Sequence, residues 1–185
     1  DEAKERFGGH LSFMGVSLVE GGATRTESVR NALATVKKDV EFVAVHDAVR
    51  PCVSCVWVEA VFAEAEKTGA ALLALPLHGT LKRVGESGVV DATLPREEFG
   101  NLWEAQTPQV FSKSVLLQAY ESGKTATDDA ALVEATGHPV SVVAGDPRNI
   151  KVTTPADLAF ANAVVKSLPK PRKLGALHPF QENQW

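Results

Sequence analysis

The chain has 185 residues, 44% of them hydrophobic, and a formal net charge of −4, enough for one domain with an ordinary core. The acidic balance argues against nucleic-acid or membrane-surface binding, since both need a concentrated basic face. No apolar run approaches the roughly 20 residues that span a bilayer, and two cysteines cannot build a disulfide framework, which suits a reducing cytoplasm.

In chain order, short β-branched runs alternate with helical patterns, the signature of an α/β fold with a mostly parallel sheet. The first residues, Asp1-Glu2-Ala3-Lys4, show no methionine and no secretory signal, so the natural N-terminus is expected upstream. Residues 16–20 (VSLVE) predict a strand that ends at Gly21-Gly22. Thr24 and Glu27 fit a capping box, and Val29, Ala32, Leu33 and Val36 follow at the spacing of one buried helix face. Residues 41–46 (EFVAVH) predict a second strand. A helix over about 56–68 should bury Val58, Val61, Phe62 and Ala65 and stop at Gly69. Residues 70–76 (AALLALP) are continuously apolar, as a strand covered on both faces should be.

The rhythm then changes. Residues 80–84 and 89–93 flank Gly85-Glu86-Ser87-Gly88, which predicts a β-hairpin. It should project from the sheet as an arm over about 77–101. Residues 102–111 return the chain. Ser112 and Thr127 look like N-caps, the second followed by Asp128 and Asp129 where acid suits the helix dipole. Residues 140–143 predict a further strand, and Thr154-Pro155-Ala156-Asp157 opens the last helix with an N-cap and proline at N1. Residues 1–168 are expected to form a single domain, with 169–185 as a tail. No internal repeat is present.

In an open parallel sheet, ligands sit beyond the carboxyl ends of the strands, and three polar clusters fall there. The first is the turn Gly21-Gly22-Ala23-Thr24-Arg25 with Ser28. Its glycines would let backbone approach a flat or charged ligand, though a plain tight turn uses them equally well. The second is His46-Asp47-Ala48-Val49-Arg50-Pro51. Asp47 could take a sugar hydroxyl or approach a metal, and Arg50 could take a phosphate in bidentate fashion; a loop ion pair between the two explains them as simply. The third is residues 148–155 (RNIKVTTP), where Lys151 sits just before a helix N-terminus and both features attract phosphate. Cys52-Val53-Ser54-Cys55 is a CxxC without further ligands at zinc spacing and outside a thioredoxin-like pattern, so two structural cysteines are expected. Trp57 is expected in the core, and His78 in solvent.

Taken together, GGATRTESV at 21–29, VHDAVRP at 45–51, PLHGTLKR at 76–83, LWEAQTPQVF at 102–111, TDDAALVE at 127–134 and NIKVTTPADL at 149–158 resemble one family in its own order. It is the 2-C-methyl-D-erythritol 4-phosphate cytidylyltransferase family of non-mevalonate isoprenoid synthesis. The resemblance covers residues 16–165. It implies a Rossmann-like domain whose β-arm reaches across a homodimer, and transfer of a cytidylyl group from CTP, with Mg²⁺, to a sugar-alcohol phosphate. No nucleic-acid or membrane partner is implied. The cytoplasm of a bacterium is the expected location, with a plastid as the other.

Position by position, Gly21, Gly22 and Ser28 match residues around the cytosine base, and Ala48 a backbone contact near the ribose. Asp47 matches an acid that holds the methylerythritol hydroxyls, with Arg50 supporting that pocket. Thr80 and Arg96 match arm groups that reach the partner's substrate. Thr107 and Thr127 match hydroxyls around the substrate phosphate, and Lys151 the lysine that contacts phosphate in the transition state. No protein ligand set for a resident metal is assigned. The sequence also departs from the pattern. The family's opening AAGxGxRM loop and its PKQ lysine are absent, so the chain as it stands is expected to be inactive. Ala23, Gly79 and Asp129 stand where the family usually has an acid, an Asp and a Glu, and residues 97–101 add length beside Arg96. The other readings are the related ribitol-5-phosphate cytidylyltransferases and a non-catalytic dimeric remnant that binds a sugar phosphate.

Overall fold

The structure, a computed structural model, describes residues 2–170. The elements run α1 (Glu2–Phe13), α2 (Arg25–Leu33), β1 (Phe42–Val45), α3 (Cys55–Thr68), β2 (Ala70–Pro76), β3 (Lys82–Val84), β4 (Val90–Thr93), α4 (Arg96–Phe99), β5 (Trp103–Ser112), α5 (Lys113–Glu121), α6 (Asp129–Glu134), β6 (Ser141–Ala144) and α7 (Pro155–Val164), followed by a 3₁₀ turn at Val165–Ser167. This is the expected α/β architecture. The main sheet has the order β1-β5-β2-β6. β5 runs antiparallel to both β1 and β2, while β6 is parallel to β2. Three of its four strands therefore point the same way, and β5 is inserted between two of them.

The apolar run in β2 has a direct physical cause. Successive strand side chains point to opposite faces. Ala70, Leu72 and Ala74 join a core with Leu33, Phe111, Leu116, Tyr120 and Val133. Ala71 and Leu73 join a second core with Trp57, Val61, Ala65 and Val110. Both faces of β2 are covered, so both must be apolar. Helix α3 supplies the second core from Trp57, Val61 and Ala65, one stripe at helical spacing; Val58 and Phe62 are only partly buried. Trp57 is core, as expected, and His78 is exposed. The helix stops at Gly69, which takes the left-handed conformation at φ 84°.

The hairpin forms as β3 and β4, a separate two-stranded sheet with a register shift after Arg83. Its return carries a short helix, α4, that the sequence reading did not foresee. Phe99 buries itself there, and Leu77 N–H donates to Leu102 O at 3.0 Å across the base of the arm. Helix α1 was also not foreseen.

Several local expectations are corrected. Residues 16–20 are not a strand; they are exposed and carry no ladder. A strand needs a neighbour for its backbone groups, and no described strand lies beside them. At α2, Thr24 caps Glu27 N as expected, but the Glu27 carboxylate accepts from Ala23 N at 2.7 Å rather than from Thr24 N. Helix α6 is capped by Asp128, whose side chain accepts from Ala131 N, not by Thr127. Ser112 stands at the N-cap of α5 without a capping hydrogen bond. At α7 the capping box of Thr154 and Asp157 is complete, with Pro155 at N1. Cys52 is buried and Cys55 exposed, both free thiols. The tail expected at 169–185 lies almost wholly outside the described residues.

Candidate active site

Five segments converge on one cleft of about 200 Å³. Its walls are Asp47 and Arg50 after β1, Gln106, Thr107 and Gln109 of β5, Thr127 and Asp128 before α6, Lys151 before α7, and Arg25 at the start of α2. Lys151 Nζ stands 3.2 Å from Asp47 Oδ2, and Arg50 Nε 3.5 Å from the same oxygen. The Asp–Arg loop pair, one of the two readings left open from sequence, is present, and both of its members line the cleft. Asp47 is shared by two cations and faces the cleft.

The scaffold behind these groups is buried and polar. Val152 N–H donates to Val49 O at 2.7 Å, which zips the Lys151 segment to the Asp47 loop. Arg50, 7% exposed, donates through Nη1 to Asn149 O at 2.8 Å. Asn149, fully buried, donates through Nδ2 to Thr107 O at 2.8 Å. Gln106 donates to Asp146 O at 3.1 Å, and a Cβ on Gly145 would stand 2.3 Å from its Oε1, so any larger residue there would displace the Gln106 amide. These residues place Lys151, and the sequence reading missed Asn149, Gln106 and Gly145 in that role. Only the run of polar residues inside an otherwise apolar β5 hinted at it.

Thr107 ties the loop down from the other side. Its Oγ1 accepts from Asp47 N–H at 3.0 Å and lies 3.0 Å from His46 Nδ1. The Arg50 carbonyl can only accept, so Nε2–H of His46 donates to it at 3.1 Å, and in that tautomer Nδ1 accepts from the Thr107 hydroxyl. Gln109 braces the opposite wall. Its amide donates to Asp128 Oδ2 at 2.8 Å and accepts from Ala130 N at 3.0 Å.

Burial alone would raise the Asp47 carboxyl, but Lys151 first, then Arg50 and Arg25, bring it below the ordinary carboxylate range. Asp47 is therefore ionised at neutral pH. It can accept hydrogen bonds or meet a cation; it cannot serve as a general acid.

The other expected residues, Gly21, Gly22, Ser28, Ala48, Thr80 and Arg96, are not among those that line this cleft. Ala48 sits in the loop beside Asp47. Ser28 is in α2, and its hydroxyl accepts from Gly22 N at 3.0 Å and donates to Thr24 O at 2.9 Å. A Cβ on Gly22 would meet Glu27 Cβ at 2.2 Å, so this glycine is there for close approach. Gly21 packs against Ser28 in the same turn. Thr80 and Arg96 do not line the cleft; both are exposed, at the foot of β3 and in α4. Among the described residues no group of three or more His, Cys, Asp or Glu is placed to hold a metal. Among them, too, no helix is long and apolar enough to cross a membrane.

Comparison with known proteins identifies one family. The family model for 2-C-methyl-D-erythritol 4-phosphate cytidylyltransferase matches residues 2–167. The chain is 44% identical over 155 residues to that enzyme of Desulforamulus reducens, across 82% of this chain and 65% of the relative. It is 47% identical over 152 residues to that of Bacillus cereus, across 80% and 65%. The crystal structure of the Thermus thermophilus enzyme superposes with a TM-score of 0.74 at 37% identity, across 82% of this chain and 74% of that one. The chain spans about 65% of the length of the curated relatives it matches.

Proposed function

The chain belongs to the 2-C-methyl-D-erythritol 4-phosphate cytidylyltransferase family, and from that premise we propose that the full-length protein transfers a cytidylyl group from CTP to 2-C-methyl-D-erythritol 4-phosphate. A phosphate oxygen of the sugar alcohol attacks the α-phosphorus of CTP in line. A new P–O bond forms, the bond to the β-phosphate breaks, and pyrophosphate leaves with the electron pair. The observation that carries the reading is the cleft where Lys151, Arg50 and Asp47 meet.

The chemistry at such a centre is positioning and charge stabilisation rather than covalent catalysis. Lys151, half exposed beside Asp47, contacts the phosphate as charge gathers on it. Asp47, ionised and fixed through its backbone by Thr107, accepts hydrogen bonds from the sugar hydroxyls. Arg50 is buried behind both and holds their geometry. Thr127 stands at the mouth for the substrate phosphate. Gly21, Gly22, Ser28 and Ala48 are assigned to the nucleoside, and Thr80 and Arg96 to a partner subunit's substrate across a homodimer formed through the arm. A domain over 1–168 in the bacterial cytoplasm completes the reading.

The donor set fits Mg²⁺ of the kind carried by nucleotide phosphates. Such an ion takes one or two carboxylates and fills the rest of its sphere with phosphate oxygens and water. Asp47 is the residue that would hold it. When bound, the ion would offset negative charge on the reacting phosphates.

The test is pyrophosphate release by the full-length protein with CTP, Mg²⁺ and 2-C-methyl-D-erythritol 4-phosphate, with ribitol 5-phosphate in parallel. Release only in the first is expected. Release only in the second assigns the enzyme to the ribitol substrate, and none in either makes the chain a binding remnant.

A further inference from the structure

Arg25 is a cleft residue that none of the assigned roles uses. It reaches the cleft from the N-terminus of α2, and its Nη2 donates to Asp129 Oδ2 at 2.5 Å, across 104 positions of sequence. Asp129 is fully buried at the start of α6. Its second oxygen accepts from the Tyr120 hydroxyl of α5, itself 6% exposed. Three helices thus meet on one carboxylate, and each of its oxygens has a charged or hydroxyl partner.

Burying a carboxylate costs free energy, and a buried ion pair commonly does no better for stability than an apolar pair of similar volume. Packing α2 against α5 and α6 therefore gives no reason for these residue types. Orientation does. A guanidinium has five N–H donors in a rigid fork. One nitrogen of Arg25 is used at Asp129; Nε and Nη1 make no hydrogen bond among the described residues. The Arg25 side chain is 42% exposed on a wall that also carries Arg50, Lys151 and Thr127. The carboxylates on that wall are already engaged: Asp47 by Lys151 and Arg50, Asp128 by Gln109 and the start of α6.

We propose that Asp129, with Tyr120, is a positioning residue that aims the free donors of Arg25 into the cleft as a further contact for the phosphate of the sugar-alcohol substrate. The inference rests on the function proposed above. Its electrostatics are consistent. Burial, then Asp129, pushes the Tyr120 phenol far up, so it remains a donor, and the hydrogen bond to Asp129 holds Arg25 more firmly in its charged form.

The test compares KM and kcat for each substrate in the full-length protein and its variants. Arg25→Ala should raise KM for 2-C-methyl-D-erythritol 4-phosphate about tenfold or more, the scale of one lost charge-assisted contact. KM for CTP and kcat should move far less. Asp129→Asn and Tyr120→Phe should raise the same KM by smaller factors, and neither should add anything in an Arg25→Ala background, because both act through Arg25. An unchanged sugar-phosphate KM in Arg25→Ala overturns the proposal, as does a full extra effect of Asp129→Asn in that background. If Asp129→Asn does not fold, Arg25→Ala and Tyr120→Phe decide the matter. Wild-type pyrophosphate release reads the proposed function separately. Without turnover, calorimetric binding of inorganic phosphate makes the same comparison: weaker binding in Arg25→Ala sustains the proposal, and equal binding overturns it.

Discussion

In the proposed reaction Asp47 and Lys151 are the two side chains on which the chemistry turns, and each supports a prediction. Lys151 is half exposed and is placed by a backbone bond and a buried asparagine beneath it. Lys151→Ala should lower turnover roughly 100-fold or more, the scale of one electrostatic contact to a transition state, with the far-ultraviolet dichroism unchanged. A rate like the wild type's would remove it from the site. Asp47 is held below the ordinary carboxylate range by its cationic neighbours. In acid, the unfolded chain therefore takes up this proton at higher pH than the folded one. Stability from this group is present above the unfolded value, about 3.9, and is lost as pH falls through the folded value. Asp47→Asn should narrow the gap between urea midpoints measured at pH 7 and near pH 3; an unchanged gap would mean the ion pairs contribute nothing to folding.

At the scale of elements, the caps sort by what their side chains do. Thr154 completes a capping box at α7, whereas Ser112 holds the same position at α5 without a capping bond. Thr154→Ala should cost about 1 kcal/mol and Ser112→Ala only a few tenths, read from chemical denaturation of each variant. Equal losses would show that position alone, not the hydrogen bond, matters. Both residues look alike in sequence. Thr127 and Asp128 show why: each is a good cap, and Gln109 of β5, reaching across to Asp128 Oδ2, favours the second. Local pattern offers candidates, and a distant side chain selects among them.

For the molecule as a whole, β2 is the member on which both cores depend. Leu73 is fully buried against Trp57, Val61 and Val110. Leu73→Ala should destabilise the fold by about 2–5 kcal/mol, seen as a lower denaturant midpoint with unchanged slope. A loss below about 1 kcal/mol would mean the site collapses freely. The continuous apolar run of residues 70–76 already announced a strand covered on both faces, because no other packing hides every side chain of such a run. The hairpin arm was equally legible from its Gly85–Gly88 turn. The cleft was legible as a set of residue types, with Asp47, Arg50, Thr107, Thr127 and Lys151 all on its walls.

The sequence by itself determined the types of most elements, though not α1, α4 or residues 16–20, together with both faces of β2, the arm, and which loops carry charge, since periodicity, glycine and capping residues are local properties. Tertiary structure alone decided that β5 lies between β1 and β2, because register and strand order depend on partners far apart in the chain. It left residues 16–20 without a ladder, because a strand exists only beside another. It also brought Arg25 to Asp129 and Lys151 to Asp47. Ion pairs between such distant positions have no period and no motif; they exist only where the folded backbone sets the two charges within reach.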